Sequence, residues 1–222
     1  MIYALPGMGA DNSMYGSAWR GLPNSVFLDW PVYHGEDSIT SIAKRVVDEA
    51  GITDGSILIG SSLGGIVSCE IAKIRELRGL VLVGAAKTKG EISGVLSLIH
   101  PLAKYAPIEF IQRAVGKLPG DLTRMFSRGQ APLIRAMCNA IFEWEGLDEA
   151  LIKPVRIHGR FDRVIPLPAN VDLILDAGHL VAMTHPRECI AFISANQLPD
   201  PTSPSVTPAA GAAGAPSVAA AH

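Results

Sequence analysis

The segment Gly60-Ser61-Ser62-Leu63-Gly64 sets a hydroxyl between two glycines. In this G-x-S-x-G spacing a serine can stand at the tip of a turn too tight for bulkier neighbours. A serine hydroxyl is a weak nucleophile near neutral pH and needs a base to take its proton, and the base needs an acid to hold its tautomer. Both residue types follow. Val155-Arg156-Ile157-His158-Gly159-Arg160-Phe161-Asp162 carries Asp162, and Leu173-Ile174-Leu175-Asp176-Ala177-Gly178-His179 carries His179. The chain order of nucleophile, acid and base is the one this motif requires. The chemistry they can perform is attack of Ser62 on a carbonyl, with His179 taking the proton and returning it to the leaving group. Asp162 then orients His179 and stabilises its charged form. The oxygen that becomes negative needs preorganised donors. One candidate is the backbone N–H of Leu63, directly after the nucleophile. The second is expected in the glycine-containing loop Leu5-Pro6-Gly7-Met8-Gly9-Ala10-Asp11, at the N–H of Met8.

These residues need elements that converge on one place. Short apolar runs at Ile2 to Leu5, Val26 to Leu28, Ser56 to Ile59, Leu80 to Val83, Val155 to His158 and Leu173 to Leu175 read as strands buried on both faces. Such strands imply an α/β fold with a mostly parallel sheet covered by helices on both faces. Ser62 follows the third run and precedes the helical stretch from Gly65, while Asp162 and His179 follow the last two runs. All three are placed at C-terminal strand ends, where open parallel sheets keep their sites. Between the strands, Ser38 to Ala50 has a capping serine, apolar residues at Ile39, Ile42, Ala43, Val46 and Val47, and a stop at Gly51. Pro186 suits the opening turn of a last helix with Cys189, Ile190 and Ile193 as its buried stripe. From Thr88 to Leu147 no strand-like run occurs, and helical spacing is cut by Pro101, Pro107, Pro119 and Pro132. The expected organisation is a core over 1–87 and 148–198, an all-helical insertion over 88–147, and a disordered Pro/Ala-rich tail over 199–222.

The sequence resembles the α/β-hydrolase fold superfamily over about residues 1 to 198. The resemblance rests on Pro6-Gly7-Met8-Gly9, Gly60-Ser61-Ser62-Leu63-Gly64, Gly159-Arg160-Phe161-Asp162 and Gly178-His179, in the family's order. Trp30-Pro31 with His34-Gly35-Glu36-Asp37-Ser38 also resembles the loop that the family places after its next strand. The resemblance implies Ser62, Asp162 and His179 as a catalytic triad and the 88–147 insertion as a cap over it. It also implies departures. The family's first two antiparallel strands have no counterpart, and His179 follows Asp162 by only 17 positions, which leaves little room for the helix usual there. A trimmed sheet is expected.

Other residues compete for roles. Asp176 is a rival acid, too close to His179 in sequence to approach its ring from behind. His158 ends a strand and reads as a hydrogen-bonded structural residue, and His34 is a candidate for the pocket rim. Leu96, Ile99, Phe110, Met125, Phe126, Phe142 and Trp144 are either core or the roof of an apolar acyl or aryl pocket. No His, Asp or Glu cluster has metal-ligand spacing, and Gly7-Met8-Gly9 lacks the third glycine of a dinucleotide fingerprint, so neither a metal nor a cofactor is expected.

The bulk properties agree. The chain has 222 residues, 48% hydrophobic and 18% charged, enough to build one packed domain with an insertion. Nineteen basic against 21 acidic residues give a net charge of -2, which argues against a nucleic-acid or anionic-membrane partner. Three cysteines without paired spacing fit a reducing compartment. No targeting segment or membrane-spanning run is visible, so a cytoplasmic protein is expected. The leading functional reading is a serine hydrolase of a small-molecule carboxylic ester or thioester. An acyltransferase with the same triad and a non-catalytic binding protein remain as alternatives. The sequence does not define the oligomeric state.

Overall fold

The computed structural model describes residues 1–92 and 130–196. Six parallel strands form one sheet in the order β2-β1-β3-β4-β5-β6, with β1 at Ile2–Leu5, β2 at Ser25–Phe27, β3 at Ile57–Ser61, β4 at Gly79–Val83, β5 at Val155–Gly159 and β6 at Leu173–Leu175. The inner strands are buried on both faces, as continuous apolar runs require. The two edge strands are not: the middle residues Val26 and Ile174 are each 40% exposed.

The chain starts at β1, steps to β2 on one side, then crosses back so that β3 pairs with the other side of β1. The direction of winding therefore reverses between β1 and β3. With right-handed crossovers, that reversal sends connections to opposite faces. Helices α1 (Ile39–Ala50) and α2 (Leu63–Ile71) pack on the face built from Tyr3, Leu5, Leu58, Leu80 and Leu82. Helix α3 (Ala131–Glu143) joins them through Leu133, Met137, Ala140 and Ile141. The opposite face, built from Ile2, Ala4, Ile57, Ile59, Val81 and Val83, is covered by the β1–β2 connection, the short α4 (Val181–Thr184) and α5 (Pro186–Asn196). Trp19 Nε1 donates to Ala182 O at 2.7 Å and ties that connection to α4.

Local signals act as read. Ser38 caps α1 by accepting from the Ser41 N–H, Ser41 returns the bond to the Ser38 N–H, and Gly51 ends the helix at φ 63°. In α5, Cys189 and Ile193 are fully buried and Ile190 is half-buried. No helix forms between β5 and β6, in keeping with the short spacing there. Of the 88–147 segment, residues 93–129 lie outside the described residues, as do 197–222, which hold the whole of the expected tail. Among the described residues no helix is long and apolar enough to cross a membrane.

Candidate active site

Ser62 stands between β3 and α2 with φ 52° and ψ −119°, a conformation costing roughly 1–3 kcal/mol for a residue with a side chain. The turn is held by close packing. A Cβ on Gly60 would fall on Gly64 O and Gly65 Cα, and one on Gly64 would fall on the carbonyls of Leu5 and Pro6. Gly65, which the motif does not include, faces Ala85 Cβ in the same way and lets α2 lie close against the end of β4. Ser62 spends its own N–H on Val83 O at 3.2 Å, which anchors the turn to β4.

The loops after β5 and β6 bring the other two residues to this turn. His179 Nε2 lies 2.9 Å from Ser62 Oγ, and His179 Nδ1 lies 2.8 Å from Asp162 Oδ2. An ionised carboxylate only accepts, so Nδ1 carries the hydrogen. In the neutral ring Nε2 is then free to accept the Ser62 proton. Asp162 is tightly held: Oδ1 accepts the N–H groups of Val164 at 2.8 Å and Ile165 at 2.9 Å, and its side chain is wholly enclosed. Burial pushes this carboxyl up, but hydrogen bonds from His158, His179 and the Ile165 amide outweigh it and hold it well below the usual carboxylate range. The rival acid Asp176 points to solvent and pairs with Arg160 at 2.7 Å.

The β1 loop completes the geometry. Its Gly7 N–H donates to Met14 Sδ at 3.3 Å, and Gly7 O accepts from Trp30 Nε1 at 2.9 Å, so the backbone before Met8 is pinned from two sides. Among the described residues no group accepts the N–H of Met8 or of Leu63, and α2 has no side-chain cap at its first turn. Met8 and Leu63 both border a cavity of about 180 Å³ lined also by Trp30 and by Gln130, Leu133 and Ile134 at the start of α3. Gln130 joins the two walls: its Oε1 accepts the Tyr33 N–H at 2.6 Å and its Nε2 donates to Pro31 O at 2.7 Å. Two free donors beside a half-apolar cavity can stabilise an oxyanion while an apolar substituent fills the space. Cys138 touches Met8 Sδ through its own sulfur at 3.5 Å, but burial pushes its thiol up to about 11, so it is no rival nucleophile.

Trp144 is core rather than roof: it is buried, and its Nε1 donates to Glu70 Oε2 at 3.2 Å. Phe142 is half-buried, and Leu96, Ile99, Phe110, Met125 and Phe126 lie outside the described residues. His34 is exposed, with its backbone N–H donated to Glu36, and it does not border the cavity. Trp30 was marked only by the resemblance of its loop, and the roles of Met14 and Gln130 had no signal in residue spacing, because each acts through a contact made only in the folded chain. Among the described residues no cluster of His, Cys, Asp and Glu could hold a metal ion.

The sequence matches the Alpha/beta hydrolase family over residues 2–192. No curated protein matches it. The fold is similar to that of a thermophilic esterase from Thermogutta terrifontis, at 19% identity and a TM-score of 0.63, covering 87% of this chain and 88% of that one. It is also similar to a hydrolase from Oleispira antarctica (15% identity, TM-score 0.66, 88% and 91% covered). A type II thioesterase of the yersiniabactin biosynthetic pathway shares the fold at 17% identity and a TM-score of 0.59, with 88% and 92% covered.

Proposed function

The chain belongs to the alpha/beta hydrolase family, and we propose that within it the protein is a cofactor-independent serine hydrolase that cleaves a carboxylic ester or thioester. The observation that carries this reading is the unbroken line Ser62 Oγ, His179, Asp162, with both contacts below 3.0 Å. Ser62 Oγ attacks the carbonyl carbon as its proton passes to His179 Nε2. The tetrahedral oxygen sits against the N–H groups of Met8 and Leu63. The bond to the alcohol or thiol breaks, and His179 gives its proton to that leaving group. Water then repeats the sequence on the acyl-enzyme, releasing the acid and restoring Ser62. We read residues 88–147 as the cover of this site, a reading supported by Gln130, Leu133 and Ile134 at the cavity wall. The apolar side chains of Trp30, Leu63, Leu133 and Ile134 favour an apolar acyl group.

The test is hydrolysis of chromogenic esters and thioesters of graded acyl length by the wild type and by Ser62→Ala. The substitution is expected to lower kcat by at least about 10⁴-fold with the fold unchanged. Equal turnover by the variant overturns Ser62 as nucleophile. Turnover only when an acceptor alcohol or thiol is added replaces hydrolysis with acyl transfer.

A further inference from the structure

We propose that His158 is a positioning residue for the acid of this site, its ring N–H holding Asp162 in the orientation in which Asp162 holds His179. The inference rests on the reading of Ser62, Asp162 and His179 as the reacting residues. His158 lies in β5 itself, in register with Ile174 of β6, and is 1% exposed. Its Nε2 lies 2.8 Å from Ile165 O and 3.2 Å from Asp162 Oδ2. Both partners only accept, so Nε2 carries the hydrogen and shares it between them. Oδ2 thus faces two imidazole donors, one from the rigid strand and one from the residue that exchanges protons with Ser62. Oδ1 is meanwhile taken by the amides of Val164 and Ile165. Among the described residues no other side chain bonds this carboxylate.

Two consequences follow that a histidine merely tying β5 to Ile165 O does not produce. The first is geometric. Asp162 sits in a connection without a helix, where backbone amides fix one oxygen. The strand-borne N–H fixes the other and stops the carboxylate plane from rotating, so the line to His179 is set by the sheet. The second is electrostatic. A hydrogen bond to Oδ2 draws off part of the charge that Asp162 presents to His179, so withdrawing it leaves more negative charge facing that ring.

The experiment compares wild type, His158→Gln, which keeps an N–H at similar reach, and His158→Phe, which keeps the ring but no donor. Each is treated with a fluorophosphonate over about pH 5 to 9, where imidazoles titrate. The Ser62 Oγ–P bond forms, the P–F bond breaks, and the serine proton passes to His179 while fluoride departs, so no natural substrate is needed. Peptide mass locates the label, with Ser62→Ala as the blank. The Phe variant is expected to label about tenfold or more slowly, as small misplacements of reacting groups do, with its acid limb moved to higher pH. The Gln variant should stay within about threefold of wild type, with the acid limb in place. If the Phe variant does not fold, His158→Asn, too short to reach Oδ2, withdraws the same N–H. Folded donor-less protein labelling at the wild-type rate with an unmoved acid limb overturns the inference, and so does a Gln variant as slow as Phe. Wild-type protein that is not labelled at Ser62 overturns instead the reading on which the inference rests.

Discussion

Asp162 is a wholly enclosed carboxylate kept ionised by donors on both oxygens. Its folded value lies below the roughly 3.9 of a free aspartate, so the unfolded chain binds the proton first as pH falls. Its contribution to stability is therefore complete above about pH 4 and is lost as pH drops toward the folded value. Asp162→Asn is expected to lower kcat by about 10⁴ through the wrong His179 tautomer. It should also flatten the stability–pH curve below about pH 4. Urea unfolding of both proteins at pH 6 and at pH 3 measures the second effect, and a wild type no more acid-sensitive than the variant contradicts this account. Ser62, Asp162 and His179 were legible as residue types in an order. His158 was legible only as a strand-end histidine, because its distance to Asp162 Oδ2 depends on how the chain turns back after Gly159.

At the scale of elements, the turn from β3 into α2 works because three glycines remove atoms where backbones cross. Gly60→Ala places a methyl on the Gly64 carbonyl and the Gly65 Cα, neither of which can swing aside. It is expected to cost about 1–3 kcal/mol or more, as overpacking does, and to reduce the rate of ester turnover with it. Gly16→Ala, where nothing lies within 4 Å of the added carbon, is the matched control and should change the urea midpoint little. Equal effects from the two would remove the steric argument. Gly60 and Gly64 were readable from the motif. Gly65 was not, since its constraint comes from Ala85 beyond the next strand. The strand runs were readable within a residue or two, yet their uniform apolarity hid which would be edges. Ser25–Phe27 and Leu173–Leu175 look as buried as Leu80–Val83 until pairing leaves one side of each unpartnered.

At the scale of the whole molecule, the helical layer is joined by one buried acid. Glu70 on α2 accepts from Thr40 of α1 at 2.7 Å, from Lys73 at 2.8 Å and from Trp144, just past α3, at 3.2 Å. Burial pushes its carboxyl up, but these donors prevail and hold it below the usual range. Trp144→Phe keeps most of the packing and removes one donor from a buried anion. It is expected to destabilise the protein by about 1–3 kcal/mol in thermal or urea unfolding, and no measurable loss would show that Glu70 does not depend on it. The reversal of winding between β1 and β3 gathers the Met8 loop, Ser62 and the later loops at one end of the sheet. It does so from positions far apart in the chain: Ser62 and His179 are 117 residues distant. On the proposed function, reactivity is thus a property that matures late. A growing or truncated chain that ends before residue 179 can hold the strained serine turn and still have no base, and closing so long a loop is slow relative to forming helices and neighbouring strands. On the proposed function, the onset of turnover during refolding would then report the arrival of His179 at the serine turn rather than the collapse of the core.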